Sequence, residues 1–108
     1  MGKTFDYCQR AVKRIFLYFF GVSKNPTREA ILSNTIQALR DKRIRKNLSM
    51  NKLAALCGLH VSMISLMERE LRSPTLDVLL RISEALEIDL WTILKEATKN
   101  AKSASDNR

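Results

Sequence analysis

The stretch of residues 50–69, MNKLAALCGLHVSMISLMER, constrains the fold of this chain more than any other. Gly58 falls where a tight turn needs a positive φ, which only glycine takes without steric cost. Leu53, Leu56 and Cys57 come before that turn, and Ile64 and Met67 after it, at helical spacing. Ala54 is small where a second helix must cross closely. The pattern predicts two short helices folded about the turn onto one apolar seam, a helix-turn-helix.

The flanks extend this into an all-α reading. A first helix starts at Asn25-Pro26-Thr27, with proline tolerated in the first turn, or at Asn34 with Gln37 as a capping box, and ends near Asn47. Ser49 caps the second helix, 50–57. His60 or Val61 opens the third, about 61–70. Thr75 caps the fourth, 76–86. Asp89 caps the fifth, from Leu90 to about Ala97. Residues 4–20 place Phe5, Cys8, Val12, Ile15/Phe16 and Phe19 on one helical face of period near 3.6, and Gly21 through Pro26 breaks it. From Thr98 onward no apolar residue is larger than alanine, so a disordered tail is expected. The domain organisation is therefore an N-terminal amphipathic helix over 1–24, a helical domain over 25–97 and a polar tail over 98–108. No strand signal and no internal repeat emerge.

Charge narrows the partner. The net charge is +8. Residues 1–58 hold 12 Lys/Arg against 3 Asp/Glu, and residues 59–108 hold 7 against 8. A basic half points to an anionic partner, nucleic acid or a membrane surface, although alone it means no more than a soluble basic surface. The two cysteines are Cys8 and Cys57, and Cys57 falls on the core side of a helix, so a disulfide framework is not expected and the chain reads as cytoplasmic. No C-x-x-C and no His pair point to a metal, and no cofactor is expected. No apolar run approaches the roughly 18 residues of a spanning helix. The basic start followed by Ile15–Phe20 has the outline of a signal peptide, but the run is short and Asp6 interrupts the charged region. Met1-Gly2 lacks the Ser or Thr that myristoylation wants where Asp6 stands. An enzyme is not expected: there is one His, no acid–base pair at a telling spacing and no phosphate loop.

The combined pattern of Ile36-x-x-Leu39-Arg40-x-x-Arg43, Leu48-Ser49, the 50–69 segment, Met67-Glu68-Arg69, Arg72-Ser-Pro74-Thr75-Leu76 and Ile82-x-x-Ala85-Leu86 resembles the XRE-type (Cro/phage-repressor-like) helix-turn-helix family over about residues 34–95. The resemblance implies a five-helix lambda-repressor-like domain, here with the extra N-terminal helix. It also implies sequence-specific binding of double-stranded DNA to regulate transcription, as a repressor acting as a homodimer. Phosphate contacts then fall to Ser49, the main chain of the second helix and Lys52, with Arg69 beside the third helix and Arg72 in the loop after it. Arg45 and Lys46 are weaker candidates. Arg43 matches a position that pairs with the acid of the Met67-Glu68 step, so an Arg43–Glu68 ion pair is expected. The reading positions are Val61, Ser62 and Leu66, with His60 and Ser65 beside them. Where the family often carries Gln and an acid early in the second helix, this chain has Met50 and Lys52. Where it favours Gly, this chain has Glu70, so the third helix either ends in a left-handed cap or runs on through Leu71.

The reading set lacks the Arg, Lys, Asn and Gln that make bidentate base contacts. Val61 and Leu66 can meet thymine methyls, and Ser62 or Ser65 can donate one hydrogen bond. An outward Leu66 also fits contact with protein. A second reading is thus an antitoxin-like or adaptor module that holds a protein partner through the N-terminal helix, with DNA binding secondary. A membrane partner ranks third. Either the N-terminal helix or the apolar Leu90, Trp91, Ile93 and Leu94 of the fifth helix supplies the dimer surface.

Overall fold

A computed structural model describes residues 26–106. The N-terminal amphipathic helix expected over residues 4–20, with Cys8, lies outside the described residues. Five helices follow one another: α1 (Pro26–Arg45), α2 (Met50–Cys57), α3 (Val61–Glu68), α4 (Leu76–Ala85) and α5 (Leu90–Asp106). No strand occurs among the described residues. α1 packs along α5, and α2 packs against α3 and α4. Ile36, Leu39, Leu53, Ile64, Ile82 and Leu86 are almost fully buried and form the centre of one core. Each such side chain contributes about 1.5–3 kcal/mol by leaving water. The buried hydroxyls are satisfied within their own helices. Thr35 Oγ1 donates to the Ile31 carbonyl at 2.7 Å and Ser83 Oγ to the Leu79 carbonyl at 2.7 Å.

The helix ends follow local chemistry. Ser49, in extended conformation, accepts from the Lys52 N–H at 3.0 Å and caps α2. Thr75 does the same for α4, accepting from the Val78 N–H at 3.2 Å. Asp89 accepts from the Trp91 N–H at 3.3 Å at the start of α5. Gly58 closes α2 with φ 68°. A Cβ there would lie 3.6 Å from Arg81, an ordinary contact, so the backbone angle and not space requires glycine. Three other turns are left-handed without glycine: Asn47, Glu70 and Glu87 have φ of 56°, 58° and 58°. In each, the next residue's N–H reaches back to close the helix. Leu48 donates to the Arg43 carbonyl, Leu71 to Leu66 and Ile88 to Ser83, the Schellman pattern.

The structure corrects the sequence reading in several places. α1 runs unbroken through Asn34, which is no cap; its side-chain amide donates to the Ala97 carbonyl of α5 at 3.3 Å. α3 does not continue through Leu71, because Glu70 takes the left-handed cap. α5 does not stop at Ala97 and give way to a tail at Thr98. It continues to Asp106, with Ala97 and Ala101 both buried. Alanines four apart lie on one helix face, and their small size lets the backbones of α5 and α1 approach. Leu56 is not part of the seam: Leu53, Ala54 and Cys57 are buried, whereas Leu56 is exposed. Leu56 and Cys57 both stand one turn from Leu53, but only Cys57 also stands one turn from Ala54, so the buried face runs through Leu53, Ala54 and Cys57. Leu90 belongs to the core rather than to the free face of α5, leaving Trp91 exposed.

Candidate nucleic-acid interface

The chain turns through 117° between α2 and α3, inside the range of about 90–120° for a helix-turn-helix. Gly58, Leu59 and His60 make the turn. Ile64 and Met67 anchor α3 in the core, 0% and 3% exposed. On its other side Ser62 is exposed and Ser65 and Leu66 are half-buried. Val61 is half-buried and packs against the core, because it stands three residues before Ile64 and shares its face. It is less available than an outward reading position requires. Met50 likewise stands three residues before Leu53 and packs on the core, a role the helical spacing of the sequence already carries.

One ion pair fixes α3 against α1. Arg43 Nε donates to Glu68 Oε1 at 2.7 Å and a second guanidinium nitrogen to Oε2 at 3.0 Å. The Arg43 side chain is 10% exposed and that of Glu68 3%. The remaining guanidinium nitrogen donates to the Leu48 carbonyl at 2.8 Å, so the same group ties down the loop that leads to Ser49. Arg40 stands 3.9 Å from Glu68 Oε2, at the mouth of the pair. Sequence reasoning missed the bond from Arg43 to Leu48 and the approach of Arg40 to Glu68, since neither follows from helical spacing.

The start of α3 is closed by its own cap. His60 is extended and exposed. Its Nδ1 accepts from the Ser62 N–H at 3.1 Å and lies 2.7 Å from Ser62 Oγ. Around this helix, Ser49 and Lys52 are exposed at the start of α2, and Arg72 is exposed in the loop after α3. Arg69 caps the end of α3, where its side chain donates to the Ser65 carbonyl at 3.4 Å. Other cations are engaged: Lys46 with Glu87 at 3.5 Å and Arg81 with Asp77 at 2.9 Å. Lys52, Arg45 and Arg72 form no ion pair among the described residues. The first turn of α2 holds no acid, so the positive end of its dipole faces outward unopposed.

Cys57 is buried beneath this unit and is a free thiol. Burial pushes it above its ordinary value of 9.0, and the nearby Arg81 charge offsets this only in part. No cluster of metal-ligating side chains occurs among the described residues. No single helix among them is long and apolar enough to cross a membrane.

The chain matches none of the curated proteins and none of the solved structures. A family model described as helix-turn-helix matches residues 39–90. That span begins at Leu39 in the core of α1, encloses the Arg43–Glu68 pair and both helices of the turn, and ends at Leu90. Residues 39–90 are a helix-turn-helix domain of the XRE type, a family of DNA-binding transcription regulators.

Proposed function

We propose that the protein is a repressor that binds double-stranded DNA as a homodimer, with α3 in the major groove. The observation that carries this reading is the clamped α3. Its inner face is buried at Ile64 and Met67 and its mount is fixed by Arg43–Glu68, while Ser62, Ser65 and Leu66 remain on the outer side. A helix held this way presents its N-terminal residues to base edges. Ser49 with the main chain of α2, Lys52 and Arg72 hold the phosphates, and His60, Val61 and Arg69 flank the groove. Phosphate contacts set register, and base contacts carry sequence information. With few polar groups on the reading side, most discrimination comes from thymine methyls and DNA shape, and sites are A·T-rich.

The second copy docks on the exposed apolar edge where α4 meets α5. Trp91 is 68% exposed, with Leu80 beside a depression of about 500 Å³ that Ile88 and Leu94 also line. Two-fold pairing there sets half-site centres about one helical turn apart.

Binding of the full chain to random duplex DNA across a salt series tests the core of this reading. Affinity falls steeply with salt, because each neutralised phosphate releases counterions. Lys52→Ala and Arg72→Ala lower affinity about equally on specific and random duplex. A salt-indifferent curve removes the DNA reading. The half-buried Leu66 favours one competitor, a protein-interaction module of the antitoxin or adaptor kind. If Leu66→Ala leaves DNA binding untouched and abolishes a protein complex, that competitor replaces the repressor.

A further inference from the structure

We infer that His60 sets the hydrogen-bonding polarity of Ser62, and so selects which bases Ser62 can read; this rests on the DNA reading of α3. The Ser62 N–H donates to His60 Nδ1 at 3.1 Å. A backbone N–H only donates, so Nδ1 holds a lone pair there and carries no proton. That lone pair also assigns the contact between Nδ1 and Ser62 Oγ at 2.7 Å. The Ser62 hydroxyl donates and the two donors share the single Nδ1 lone pair, leaving the ring proton on Nε2.

A serine hydroxyl has one proton and two lone pairs. With its proton committed to His60, exposed Ser62 presents only lone pairs outward. In the major groove such an acceptor pairs with the amino groups of adenine N6 and cytosine N4. It is mismatched to guanine O6 and N7 and to thymine O4, which are themselves acceptors. The plain expectation for a reading serine, donation to a base, is therefore reversed. His60 acts here as a positioning residue that need not touch a base.

Two measurements test this. The first uses the free protein. His60 is the only histidine in the chain, so its ring nitrogens give an unambiguous 15N NMR signature. With the ring neutral, the proton is expected on Nε2, and a proton on Nδ1 overturns the assignment whatever the protein binds. The second is selection of bound sequences from random duplex DNA by the full chain and three variants. Wild type is expected to favour A or C at one position of each half-site by about threefold to tenfold, the scale of one neutral hydrogen bond. Ser62→Ala levels that position. His60→Gly keeps a residue tolerated at a helix start but frees the hydroxyl to rotate, so G and T become acceptable there while the rest of the site is unchanged. His60→Asn supplies a neutral acceptor and restores the wild-type preference. A Ser62-dependent preference for G or T, no Ser62-dependent position at all, or an A/C preference that survives His60→Gly overturns the inference while leaving DNA binding intact. A wild-type chain that binds no duplex removes the DNA reading, and the base preference falls with it.

Discussion

Arg43 and Glu68 bury opposite charges that satisfy each other through two hydrogen bonds. Removing either partner strands a charge in the core. Arg43→Ala or Glu68→Ala is expected to lower stability by about 3–5 kcal/mol in urea denaturation, whereas Arg43→Met with Glu68→Leu recovers most of the loss. Glu70 poses the opposite case. Its φ of 58° strains any residue with a Cβ, so Glu70→Gly is expected to stabilise by about 1 kcal/mol and raise the melting temperature. Cys57 adds a pH term. Its folded thiol ionises above the ordinary 9.0, so the unfolded chain loses its proton first. The stability this contributes is present below the unfolded value and is lost as pH rises through the folded one. Denaturation series from about pH 8 upward should show the wild type losing stability relative to Cys57→Ala. Equal slopes would mean that the thiol ionises alike in both states.

At the scale of elements, the long C-terminal run of α5 is the least expected part of the fold. Its integrity rests on Ala97 and Ala101 against α1. Ala101→Gln forces a larger polar group into that contact and is expected to cost about 1–3 kcal/mol by thermal denaturation. Lys102→Gln on the exposed side should change stability by no more than about 0.5 kcal/mol. The sequence made the short helices legible because their signals are local: Ser49, Thr75 and Asp89 as caps, Gly58 as a turn, and Leu53, Ile64 and Met67 at helical spacing. It hid the end of α5, because small alanines in a polar stretch look like a tail until a partner helix is known. It hid the role of Asn34 for the same reason, since an amide that bonds across to Ala97 has the composition of a cap. In the candidate site, the Arg43–Glu68 pair was legible through the family pattern alone. The outward position of Leu56 was available from spacing, and the polarity of Ser62 required coordinates.

For the whole molecule, the outer edge of α4 and α5 has no partner within the described fold. An indole that is 68% exposed is a natural anchor for a second copy, since tryptophan is over-represented among residues that dominate association energies. Sedimentation of Trp91→Glu is expected to show a monomer where the wild type sediments as a dimer. Its affinity for a full two-half-site duplex should fall more than its affinity for a single half-site. A dimer indifferent to this change would move the interface elsewhere, and deletion of residues 1–24 would then ask whether the N-terminal segment supplies it.

The way α3 is mounted separates two kinds of change open to this lineage. Arg43 bonds to Glu68 and to the Leu48 carbonyl, so a single substitution at either end of the pair leaves a buried charge unpaired and destabilises the mount. Ser62, Ser65 and Leu66 lie outside that arrangement, and their replacement disturbs little of the core. On the proposed DNA reading, a domain built this way can acquire a new target site in single steps while its architecture stands still.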